Sequence, residues 1–124
     1  MRFASLGDPD LFIDETFYFL GGLKMHQGAI PYVDFWDRKP PGLFALFWIF
    51  AGISKSVWSY QIAALLSAAA TAFVITRIVA RWGNRLARLL AAFTYLALLH
   101  PLNGHGGQAP VFYNLLMASA ALIV

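Results

Sequence analysis

Apolar residues dominate the stretch from Trp58 to Ala80, with Arg77 near one end as its sole charge, and a helix of that length crosses a hydrocarbon core of about 30 Å. Gly83 and Asn84 mark a turn, after which Leu86 to Leu99 forms a shorter apolar stretch. Pro101 with Gly104, Gly106 and Gly107 marks a loop, and Val111 opens a third apolar run that the chain end cuts off. The pattern predicts membrane helices over about 58–80, 86–100 and 111–124. Ahead of them, Asp8-Pro9 reads as a helix cap followed by proline at the first helical position, with Asp10 in the first turn. A helix from about Pro9 to His26 follows. At about 100° per residue, Ile13, Phe17, Leu20 and Leu23 fall on one side and Asp14, Tyr18, Gly21 and Gly22 on the other. This predicts an interfacial amphipathic helix with an open polar side, stopped at Gly28. Pro31, Pro40 and Pro41 then predict an extended segment over 29–41. Gly42 to Ile53 reads as another apolar helix, too short to span and lying at the membrane surface.

Composition supports this layout. Hydrophobic residues make up 60% of the chain and charged residues 12%, whereas soluble domains carry about a quarter charged residues. A globule this small cannot hide so much apolar surface from water, so the expected class is an all-α, polytopic, multi-pass protein of the inner membrane. All six acidic residues lie at or before Asp37, while Arg77, Arg81, Arg85 and Arg88 flank the turn between the first two spans. The loop from Pro101 to Pro110 has no Lys or Arg. The positive-inside rule therefore makes the arginine turn cytoplasmic and places residues 1–57 on the extracytoplasmic side, with 58–124 holding the spans. The net charge of +3 does not point to nucleic acid, because the basic cluster sits between apolar segments. No cysteine is present, which excludes disulfides and thiolate chemistry. His26, His100 and His105 lack the spacing of a metal site. The start, MRFASLGDPDLF, lacks the order of a signal peptide.

Residues 14–42, DETFYFLGGLKMHQGAIPYVDFWDRKPPG, carry the chemistry. Their order resembles the first extracytoplasmic loop of the GT-C glycosyltransferases, in the branch of the dolichyl-phosphate-mannose-protein mannosyltransferases and the lipid A aminoarabinose transferases. The matching elements are Asp14-Glu15 with Tyr18, then Gly28, Pro31, Tyr32 and Asp34, then Lys39-Pro40-Pro41. The resemblance implies a GT-C fold with interfacial helices in this loop, and sugar transfer from a polyprenyl phosphate with inversion. Such transfer needs a base to take the acceptor's proton, and cations for the phosphate that leaves. Asp14 is the candidate base. Lys39 and Arg38 are the candidate phosphate partners, and Glu15, Tyr18 and Asp34 the further substrate contacts. Glu15 points about 100° from Asp14 on a helix, so it is expected to orient a neighbour or hold a metal. A divalent metal stays open, and no other cofactor is expected. The partners implied are a lipid-linked sugar donor and membrane lipids, with no nucleic acid and no oligomeric state indicated. Against the family pattern, Gln108-Ala109-Pro110 stands where some relatives carry an acid, and the chain reads as truncated at both ends, so that alone it is expected to be inactive.

Taken without the resemblance, Asp14 and Glu15 also read as first-turn acids, Arg38 and Lys39 as anchors on lipid phosphate, and Asp34 and Asp37 as turn caps. Tyr18, Tyr32, Trp36, Trp48 and Trp58 also read as an interfacial aromatic belt. A transporter or a small non-catalytic membrane subunit is the rival function. Transport residues should sit within spans, and Trp58 to Ile75 has no charge.

Overall fold

Prolines and glycines decide where the first helices begin, end and meet. The computed structural model describes residues 13–99, 101, 102, 104 and 106–123. Among these the chain is all-helical, with α1 (Ile13–Met25), α2 (Pro41–Ile53), α3 (Trp58–Val79), α4 (Arg85–Leu99) and α5 (Ala109–Ile123), and no strand. The cap expected at Asp8, the start at Pro9, Asp10, and the histidines at 100 and 105 lie outside the described residues. The chain divides into two compact units, the first ending at Ala63 and the second beginning at Ala64.

In the first unit, Gly28 ends α1 as its sequence position suggests. Its φ is +97°, and the amides of Gly28 and Ala29 donate to the carbonyls of Met25 and Lys24, at 3.1 Å each. This is a Schellman closure, which needs a left-handed residue at that point. Pro41 opens α2 at its first position, behind an extended Pro40 with φ −67° and ψ 153°.

The two helices pack on the side that the hydrophobic pattern did not mark. Glu15, Tyr18, Phe19, Gly21 and Gly22 are buried, whereas Ile13 is 88% and Leu20 52% exposed. The expected open side, with Tyr18, Gly21 and Gly22, is thus the packed one. The reason is steric: a Cβ on Gly22 would stand 2.5 Å from the Phe47 carbonyl oxygen, so the glycine lets the α2 backbone come close. Small residues at a helix interface let the two backbones approach closely. Around this contact Tyr18 meets Phe44 and Phe47 edge-on, with centroids 6.1 and 5.6 Å apart. Tyr60, on the first turn of α3, meets Phe19 and Phe47 at 5.2 and 5.5 Å. Tyr18, Phe44, Phe47 and Tyr60 are all at most 1% exposed. Tyr60 belongs to this first unit, which ends at Ala63.

Within the segment 29–41, expected to be extended, residues 30–35 fold back instead. The Asp34 carboxylate accepts the Ile30 amide at 2.7 Å, and the Ile30 carbonyl accepts the amides of Val33 and Asp34. The segment is therefore folded into a tight turn, with Tyr32 at φ +66°.

In the second unit, Ala64, Ala68, Thr71 and Ala72 form a buried stripe on α3. Ala64 and Ala68 cluster with Leu99 and Val111, flanked by Tyr95 and Phe112. The Ser67 hydroxyl donates to the Val111 carbonyl at 2.9 Å and ties α3 to α5. Asn84, expected only as part of a turn, caps α4 through its side-chain oxygen on the Ala87 amide at 2.9 Å. The Arg81 guanidinium donates to the Leu122 carbonyl, which places a cation at the negative end of the α5 dipole.

Among the described residues, α3 alone is long and apolar enough to cross a membrane. Its 22 residues extend about 33 Å. The helices α4 and α5, of 15 residues each, reach only about 22 Å.

Candidate functional site

The residues singled out from the sequence gather on α1, on the turn after it, and at the start of α2. Asp14 and Glu15 both sit in the first turn of α1, where the helix dipole favours acids. Neighbours on a helix diverge by about 100°, and here that divergence separates two environments. Asp14 is exposed. Glu15 is 0% exposed, on the face it shares with Tyr18, Phe19 and Gly22, and it acts electrostatically on Tyr60. Glu15 and Tyr18, expected as further substrate contacts, are both buried in this structure. Both side chains belong to the seam between α1, α2 and the first turn of α3.

Lys39 is held from both sides. The Asp37 carboxylate accepts its amide at 3.2 Å, and the Tyr32 hydroxyl donates to its carbonyl at 2.5 Å. The Tyr32 ring in turn packs edge-on against Phe44, with centroids 5.6 Å apart. The turn residues thereby fix the Lys39 backbone just ahead of α2. Pro40 and Pro41 follow at once and remove the remaining freedom. The first turn of α2 carries no acid and no side-chain cap, so the positive end of its dipole is left beside Lys39. Arg38 is exposed and Lys39 half-buried. Asp34 and Asp37 spend their carboxylates on the turn amides of Ile30 and Lys39.

Two residues shape this region in ways that their sequence positions do not announce. Tyr32 was read only as a motif or belt residue, yet it clamps Lys39; a left-handed tyrosine leaves no sign in sequence. His26 stacks on Trp48, with centroids 5.1 Å apart and an interplanar angle of 16°. Its Nε2 lies 2.9 Å from the Trp48 carbonyl oxygen, which pins the end of α1 to the middle of α2.

The second unit holds a cavity of about 450 Å³, lined by Thr71, Ile75, Tyr95, Leu99, Pro110 and Asn114 among others. The Tyr95 hydroxyl is buried with no hydrogen-bond partner among the described residues. No group of three or more metal-ligating side chains occurs among the described residues.

Comparison of the chain with models of protein families, with curated proteins and with solved structures finds no match.

Proposed function

We propose that this chain is part of an inverting glycosyltransferase of GT-C type, moving a sugar from a polyprenyl-phosphate donor to an acceptor hydroxyl or phosphate at the extracytoplasmic face of the inner membrane. The observation that carries the reading is the ordered set Asp14-Glu15, Tyr18, Gly28, Pro31, Tyr32, Asp34 and Lys39-Pro40-Pro41, which resembles that family's first loop. The placement of Lys39 supports it. A cation whose backbone is clamped beside an uncapped helix N-terminus suits a phosphate, because the charge and the dipole act on the same oxygen atoms. Membrane residence is supported by α3, of whose most apolar stretch only 22% is buried; the core helix of a soluble protein would be mostly buried. In this reading α4 and α5 are further spans whose short apolar lengths are met by local thinning of the bilayer.

Asp14 acts as the base on the acceptor, and Lys39 holds the phosphate as the glycosyl bond breaks. Glu15 and Tyr18 act by packing: they fix the rotation of α1, and with it the direction in which Asp14 points.

The reading is tested by binding of a short-chain polyprenyl-phosphate sugar to the complete enzyme, of which this chain is proposed to be part, in nanodiscs. A charge-assisted contact is worth about 1.5–3 kcal/mol, so Lys39→Ala should weaken binding about ten- to a hundredfold. Donor binding that is absent, or unchanged in Lys39→Ala, contradicts the proposal.

A further inference from the structure

The turn between α1 and α2 carries three large apolar side chains that stay largely exposed among the described residues. Ile30 is 58%, Val33 76% and Trp36 72% exposed. Single exposed apolar residues are ordinary, but a cluster on one turn marks a contact surface. This turn is also rigid. Asp34 closes it onto Ile30, the Tyr32 amide donates to the Phe35 carbonyl at 2.7 Å, and the Tyr32 hydroxyl ties it to Lys39. Tyr32 itself holds a left-handed backbone, at φ +66°, which side chains other than glycine rarely adopt.

The geometry points to a bilayer as the occupant: we propose that Ile30, Val33 and Trp36 form a preformed tip that enters the boundary between lipid headgroups and acyl chains, with Arg38 on the lipid phosphates. Three observations favour lipid over a protein partner. The unit that carries the tip includes the first turn of α3, locked in through Tyr60, and α3 is the helix proposed to cross the membrane. Tryptophan and arginine suit the apolar boundary and the phosphate layer respectively. The nearby acids Asp34 and Asp37 each accept a backbone amide and are matched in number by Arg38 and Lys39, so the turn presents no net negative charge to anionic headgroups. A tip already in its bound shape loses little conformational freedom on insertion. The inference rests on the membrane placement proposed above but not on sugar transfer.

The absence of cysteine allows a nitroxide to be attached at one chosen site. Val33→Cys, Trp36→Cys, Gln27→Cys and Phe73→Cys are labelled in turn, in vesicles of phosphatidylcholine and phosphatidylglycerol without sugar donor. Collision with oxygen, which partitions into lipid, is compared with collision with a water-soluble nickel chelate. All four positions are exposed, so the label itself should leave the fold intact. Labels at 33 and 36 should shift toward oxygen and away from nickel relative to 27, in the direction shown by 73 on α3. Labels at 33 and 36 that behave like 27 overturn the tip. Labels there shielded from both reagents also overturn it, in favour of a protein contact. If 73 itself behaves as aqueous, the membrane placement falls and the tip with it; if 73 is in lipid while 33 and 36 are not, only the tip falls.

Discussion

Asp14→Asn, made in the complete enzyme to which this chain is proposed to belong, should lower the turnover of sugar transfer by about a hundred- to ten-thousandfold and leave donor binding unchanged. The substitution keeps the side chain's size and removes its ability to take a proton. A general base must come within about 2.6–3.2 Å of the proton it removes, which requires an open approach. The two acids of α1 differ in this respect: Asp14 is exposed and Glu15 fully buried. Glu15→Gln should therefore act through the helix seam, changing stability first. Loss of turnover without loss of binding marks an interaction made only in the transition state. Near-normal turnover of a folded, inserted Asp14→Asn protein would place the base elsewhere.

Gly22→Ala should destabilise the first unit even though alanine is the better helix former. The gain in helix propensity is about 1 kcal/mol. Against it, the new Cβ would lie 2.5 Å from the Phe47 carbonyl oxygen, 2.7 Å from its carbon and 3.0 Å from the Trp48 amide nitrogen. All three are backbone atoms and cannot swing aside, so α1 and α2 must move apart. That movement loosens the contacts of Tyr18 with Phe44 and Phe47. Overpacking of this kind costs about 1–3 kcal/mol and occasionally more, and the rigid neighbours place this site at the upper end. Gly42→Ala is the matched control, because a Cβ there meets nothing within 4 Å, and it should be neutral or slightly stabilising. Unfolding in mixed micelles by added denaturing detergent reads both variants. Equal stability of Gly22→Ala and the parent chain would mean that the helices are not in backbone contact.

The long apolar run was the most legible feature. The end of α3 at Val79 departs by one residue from the expected Ala80, since one charge in a continuous apolar stretch leaves little room for another reading. Gly28 was equally plain, as few other residues accept its φ. The packed side of α1 was misread for a definite reason. Hydrophobic periodicity marks a buried face in water, whereas close packing of α1 on α2 is marked by Gly21 and Gly22. The turn at Ile30 was hidden too: three prolines argued for extension, while the structure rests on an Asp34 side-chain bond and a left-handed Tyr32. At the candidate site, the types and order of Asp14, Arg38 and Lys39 were visible in the sequence. The burial of Glu15 and Tyr18 was not, because it depends on Phe47 and Tyr60, which are distant in the chain.

The account as a whole requires α3 to cross the membrane with residues 14–42 outside and the turn near Trp82 inside. Single-cysteine labelling of intact cells with an impermeant maleimide measures this directly. Gln27 and Trp82 are both exposed, Trp82 at 80%, and neither position is needed for packing. Gln27→Cys should react from outside the cell, and Trp82→Cys only after the membrane is opened. Reaction of both positions from the same side, or of Trp82→Cys alone from outside, would contradict the placement of Asp14 and Lys39 on the extracytoplasmic face.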